Sequence, residues 1–218
     1  MKRFPLLLGL LLLPLFFPTA FPQTPPALPT LQSAYAEKIH IDGIPNAGKV
    51  NDHLYRGAQP SFSAFPELKR MGVTTIVNLR RENDEAIAAE RQEVKSRGMR
   101  FVHIPVGGLS APENQQIIDF LSIFRDHPGE IVFVHCHYGE DRTGVFIASY
   151  RMTFQHWSYE TAEHEMNFFG FNHHWQHHMK EFVRDFPARL ESAPDLAQFE
   201  KTLTPGPLPT TTLLNPPS

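Results

Sequence analysis

Cys136 is the only cysteine in a chain of 218 residues, and Arg142 follows it six positions on, within VHCHYGEDRTG at 134–144. A thiolate is a nucleophile, and a guanidinium is a planar fork that can hold two oxygens of a tetrahedral anion at once. Six backbone amides span the loop, those of His137, Tyr138, Gly139, Glu140, Asp141 and Arg142. A turn leading from a strand into a helix aims such N–H groups inward and forms an anion nest at the positive end of the helix. Gly139, at mid-loop, permits the positive φ that this curl needs. The same field of amides, helix dipole and guanidinium favours a thiolate at Cys136. The chemistry that follows is attack of sulfur on phosphorus, then hydrolysis of a cysteinyl-phosphate by water. Thr143 is placed to donate a hydrogen bond to the departing sulfur, and His135 to fix the loop from behind.

A lone cysteine is more often a buried filler than a working thiol. Its position between two elements argues otherwise. EIVFVH (130–135) reads as a buried strand and 143–156 as an apolar helix. Further strands are expected at 53–60, 73–79 and 99–105, and helices at 61–72, 83–98, 113–127, 158–169 and 172–186. Strands alternating with helices predict an α/β domain, a mostly parallel central sheet of four to five strands flanked by helices. In such sheets ligands bind beyond the carboxyl ends of the strands, which is where Cys136 falls.

Of twenty prolines, only five lie between residues 46 and 186. One domain is therefore expected over 46–190, preceded by a linker at 21–45 and followed by a disordered Pro/Thr-rich tail at 191–218. Residues 1–20 read as an export signal: Lys2 and Arg3 precede the apolar stretch at 4–17, and Thr19 and Ala20 suit cleavage, ahead of a later site at Ala34–Ala36. Export to the periplasm or beyond is the expectation, and an uncleaved N-terminal membrane anchor is the alternative. The net charge of −3, with Lys and Arg (20) fewer than Asp and Glu (23), gives no nucleic-acid footprint.

HCHYGEDRTG resembles the phosphate loop of the protein tyrosine and dual-specificity phosphatase superfamily, matching it at His135, Cys136, Gly139, Arg142, Thr143 and Gly144. LYRGAQP, VTTIVNLRRE and FVHIPV are similar to a compact bacterial branch of it. The resemblance covers about residues 46–170. It implies a dual-specificity-phosphatase-like fold, Cys136 as nucleophile, Arg142 as phosphate clamp and Thr143 as helper, with no metal and no cofactor. The implied substrate is a phosphorylated protein or a small phosphate ester.

The pattern departs from the family at the general acid. The family supplies an aspartate about thirty residues before the cysteine, and HIPVGGLSAPE has none. Asp141, inside the loop, is the first candidate, and Glu113 the second. Arg80 and Arg81 end a strand where ligands bind and are candidate contacts for a second anionic group; Arg56 is open to the same reading. The acids Glu140 and Asp141 disfavour a heavily charged inositol phosphate. Alternatives are an inositol phosphate or phosphoinositide phosphatase, a silent phosphate-binding module and a rhodanese-like sulfur carrier, which the Arg-Thr-Gly ending suits less well. His173/His177 and His174/His178 have metal-ligand spacing without an identifiable third ligand. Trp175, Met179, Phe182 and Phe186 are expected to form the buried stripe of their helix.

Overall fold

The computed structural model describes residues 35–201. The expected export signal and most of the tail lie outside them. The described chain runs β1 (Glu37–Lys38), β2 (Gly48–Asn51), β3 (Leu54–Gly57), α1 (Phe65–Arg70), β4 (Thr75–Arg80), α2 (Asp84–Ser96), β5 (Arg100–Val106), α3 (Asn114–Asp126), β6 (Val132–His135), α4 (Asp141–Gln155), α5 (Tyr159–Phe168), α6 (His177–Ser192) and α7 (Pro194–Lys201). The sheet order is β1-β2-β3-β6-β4-β5. β3, β6, β4 and β5 are parallel, while β1 and β2 add an antiparallel edge.

β6 lies between β3 and β4, with Arg56 opposite Val134 and Asn78 opposite His135. Both faces of this strand are covered, so its residues alternate between two cores. Val132, Val134 and Cys136 join the core under α3 to α7, whereas Phe133 joins the core under α1 and α2. His135 follows Phe133 to the α2 face and stacks on its ring. The period of two thus sends the thiol and the adjacent imidazole to opposite sides. Helix α4, which carries the loop's far end, is buried from Arg142 through Thr153.

The structure differs from the sequence reading at both ends of the domain. The sheet has six strands rather than four or five. The extra pair recruits part of the expected linker: Ala36, Ile41 and Ile44 are buried. The expected disordered tail begins instead with the end of α6 and with α7, whose Leu196 and Phe199 are buried against the main core. Apolar side chains at suitable spacing outweigh the proline content there. Trp175 is 74% exposed, contrary to its place in the expected stripe, because α6 begins only at His177. The stripe consists of Met179, Phe182, Val183, Phe186 and Leu190. The late start also breaks the helical spacing of the histidines. Among the described residues no group of three or more His, Cys, Asp or Glu is placed to hold a metal.

Candidate active site

The loop between β6 and α4 is held by its carbonyls. His135 Nδ1 meets the Cys136 carbonyl at 3.1 Å. The Gln59 amide donates to the His137 carbonyl at 3.1 Å. Asn46 Nδ2 donates to the carbonyls of Tyr138 (3.4 Å), Gly139 (3.2 Å) and Phe169 (2.9 Å). Arg56 Nη2 donates to the Gly139 carbonyl at 2.6 Å. Each carbonyl is engaged from outside, and a planar peptide whose C=O points out points its N–H in. The cup of amides expected from the sequence therefore has a mechanical cause in β3, Gln59 and Asn46. Gly139 closes it with φ of +71°, and a Cβ there would lie 2.4 Å from the Gly57 carbonyl carbon.

Cys136 is 3% exposed, yet it lines a cavity of about 260 Å³ with Asp141, Arg142, Tyr138, Gln176, Gly108 and Leu109. Glu82 grips Arg142 through two hydrogen bonds, Nη1 at 2.8 Å and Nη2 at 3.0 Å, and the Val106 carbonyl accepts from Nη1 at 3.2 Å. The Nε–H and the second Nη2–H remain for two oxygens of a bound anion. Burial works against the Arg142 charge, but Glu82 and the nearby sulfur hold its pKa above the ordinary value. Burial would raise the Glu82 carboxyl, but Arg142 outweighs it and brings the pKa down to about 2.

Asp141 opens α4 and faces the same cavity. The Asn172 amide donates to Oδ1 at 2.8 Å and Gln176 Nε2 to Oδ2 at 3.2 Å. Burial raises its carboxyl above the ordinary value despite those donors and Arg142. Glu140 is raised as well, by burial and then by Asp141. Glu113 is elsewhere: it is the exposed N-cap of α3 and lines a separate cavity with His178 and Arg189. Its backbone amide donates to Gln116 Oε1 at 2.8 Å, so its place is that of a helix cap.

The two arginines after β4 part company. Arg80 is buried, donates to Gln59 Oε1 (2.8 Å) and Glu82 Oε1 (3.2 Å), and lines a wider opening with His137, Tyr138 and Arg142. Arg81 is exposed and lines neither cavity. Arg56 is fully buried rather than at the ligand edge. The Thr143 hydroxyl is buried and makes no hydrogen bond, so the expected contact to sulfur is not formed.

Sequence reasoning missed Glu82, Glu90, Gln59, Asn46 and Gln176. Glu90 Oε1 meets His135 Nε2 at 2.8 Å, and its Oε2 accepts from Asn78 (2.7 Å) and Gln59 (2.8 Å). One signal was present: Glu90 shares the buried face of α2 with Ile87 and Val94. Gln176 is 5% exposed and bridges Asp141 to the Gly108 carbonyl (2.9 Å). Nothing in the sequence singled out Asn46, which acts from a left-handed turn with φ of 53°.

A parallel sheet with a Cys-loop-Arg at the end of its central strand defines the dual-specificity phosphatase class of α/β fold. Residues 25–185 match the family described as DSP-PTPase phosphatase fused to NAD+ kinase. The chain belongs to that family. It is 29% identical over 150 residues to the dual specificity protein phosphatase TpbA of Pseudomonas aeruginosa, an overlap of 65% of this chain and 62% of that protein. It is 25% identical over 139 residues to human dual specificity protein phosphatase 26, covering 59% and 65% respectively. The chain thus spans less than two thirds of the length of these relatives. The crystal structure of P. aeruginosa TpbA superposes with a TM-score of 0.60 at 23% identity, over 79% of this chain and 98% of that one. The core catalytic domain of the PP-IP phosphatase SIW14 of S. cerevisiae gives 0.62 at 19% identity, over 76% and 98%. At these identities the likeness is one of fold.

Proposed function

We propose that this protein hydrolyses phosphate monoesters through a cysteinyl-phosphate intermediate, with phosphotyrosyl or dual-specificity protein substrates. The observation that carries this reading is the outward anchoring of the loop carbonyls, which turns the amides toward Cys136. The substrate phosphate sits in that cup, its oxygens shared between the amides and the open edge of Arg142. The Cys136 thiolate attacks phosphorus as the bond to the leaving oxygen breaks, and Asp141 gives its proton to that oxygen. Water then attacks phosphorus, its proton passes to the Asp141 carboxylate, and the sulfur–phosphorus bond breaks to release phosphate and thiolate. Glu82 is a positioning residue for Arg142. The buried Thr143 hydroxyl is unpartnered, which leaves it available to donate to the departing sulfur.

Three features support a protein substrate over an inositol polyphosphate. Glu82, held ionised by Arg142, puts a negative charge at the wider opening, which disfavours a heavily phosphorylated ring. Exposed Tyr138 and Leu109 line its mouth, which suits an aromatic leaving group. A Cys-to-Ser form of TpbA, similar in fold, is described in complex with phosphotyrosine. Export is part of the proposal, resting on Lys2, Arg3 and the apolar stretch after them.

Purified protein is expected to release phosphate from a phosphotyrosyl peptide in the presence of a chelator. Cys136→Ser abolishes turnover and still retains the peptide. Turnover by that variant would remove Cys136 from the chemistry. A panel of inositol phosphates, hydrolysed faster than the peptide, would reverse the substrate assignment.

A further inference from the structure

Arg56 is a fully buried cation in β3 that the reaction above does not use. It lines neither cavity beside the loop, so it does not meet substrate. Its Nη2 donates to the Gly139 carbonyl, while Nε and Nη1 are buried without a partner. Its guanidinium lies 3.9 Å from the centre of the Phe169 ring. Gly48 makes this stack possible, since a Cβ there would come within 2.7 Å of Phe169 and 3.2 Å of Arg56 Cγ. A buried cation with two unmet donors is costly unless an anion answers it.

The charges packed around Arg56 and Cys136 are few. Arg151 and Glu165 form a buried pair through bonds of 2.8 and 3.0 Å, and Glu165 also accepts from the Ala36 amide at 2.9 Å. Arg142 is matched by Glu82, and His135 faces Glu90. Asp141 is held by Asn172 and Gln176, next to Glu140. Glu165 and then Cys136 are the anionic groups that support the Arg56 charge, and Arg142 faces the same sulfur. With Glu165 already paired to Arg151, Cys136 is the acidic group left for Arg56 to answer.

We infer that Arg56 is a positioning residue that acts through the loop: it turns the Gly139 carbonyl outward and supplies, beside Arg142, a second buried counter-charge for the Cys136 thiolate. Burial lowers the pKa of Arg56 to about 10, with Glu165 and Cys136 opposing that fall, so the guanidinium is charged at neutral pH. The inference deepens the reading of Cys136 as nucleophile and rests on it.

Because Cys136 is the only thiol, its alkylation by iodoacetamide reads it alone. Arg56→Gln keeps an N–H donor for Gly139 and removes the charge. Arg56→Lys keeps the charge and loses the planar fork. The pH midpoint of alkylation is expected to rise by about one unit in Arg56→Gln, with the rate at about pH 6 falling roughly tenfold, and to stay at the wild-type value in Arg56→Lys. Equal midpoints in wild type and Arg56→Gln overturn the inference. A second measurement needs no Arg56 variant. In protein carrying isotope-labelled arginine, the Arg56 Nε resonance is expected to move with the alkylation midpoint and to stay fixed in Cys136→Ser. A resonance indifferent to that midpoint also overturns the inference. Wild-type protein that shows these titrations but hydrolyses no phosphotyrosyl peptide refutes the phosphatase reading alone. Active wild type with an unmoved Arg56→Gln midpoint refutes the counter-charge alone.

Discussion

At the scale of residues, the carboxyls of Asp141 and Glu82 are shifted in opposite directions by opposite means. Asp141 is shielded in the cavity wall, and burial keeps its carboxyl protonated to higher pH than a free aspartate. A general acid needs that. Activity that depends on the protonated form is lost as pH rises through its pKa, so on the proposed reaction the alkaline limb of the pH–rate profile is expected to report Asp141. Asp141→Asn is expected to remove that limb and to slow esters of poor leaving groups by about a hundredfold or more, sparing p-nitrophenyl-type esters. Equal slowing of both ester types, measured as kcat, moves the acid to another residue. Glu82 is kept ionised by Arg142 instead. Glu82→Gln takes away the brace on the guanidinium while leaving its size. The expected result is a KM for phosphotyrosyl peptide raised about tenfold, the loss of one charge-assisted contact's worth of positioning, with kcat less affected.

At the scale of elements, the site depends on how closely β3 approaches the loop. Gly139→Ala would force a Cβ against the Gly57 backbone in a left-handed conformation. A fall of stability of about 1–2 kcal/mol is expected from the backbone alone, more with the clash, together with loss of phosphate-analogue binding. A binding isotherm equal to wild type would show that the cup tolerates displacement. This glycine was legible in the sequence because its chemistry is local: a curl needs a positive φ. So were the four parallel strands and the helices at 84–96, 114–126 and 141–155, whose apolar periods are long and regular. The partners of the loop were not legible. Gln59, Asn46 and Arg56 come from segments 78 or more residues away in the chain, and the tertiary fold, not local sequence, brings them to the loop. Glu113 misled for the reverse reason. It lies near the loop in sequence and answers to helix capping. β1 has two residues, too short for any period to announce it.

At the scale of the whole molecule, the chain beyond the expected boundaries completes the core on which the loop rests. Phe199 of α7 meets Phe154 of α4 edge-on, with ring centres 6.4 Å apart, and Arg125 of α3 lies 4.8 Å from the same ring. Helix α4 is the element whose first turn carries Asp141 and Arg142, so α7 braces the far end of the helix that follows the loop. Phe199→Ala empties a fully buried aromatic site, and a loss of about 3 kcal/mol is expected, or roughly 6–12 °C in Tm for a domain of this size. A thermal melt unchanged by the substitution would make α7 an appendage rather than part of the core. Acid tests the same unity at the other end of α4, where Arg142 meets Glu82. The pKa of Glu82 falls from its ordinary 4.5 to about 2 on folding, so its pairing with Arg142 stabilises the folded chain fully above that ordinary value. The contribution is lost as pH drops from about 4.5 to about 2, and Glu82→Gln should lack it throughout. Melts of wild type and Glu82→Gln are therefore expected to converge across that window, and a constant gap between them would mean the ion pair seen at the loop contributes nothing to holding its two sides together.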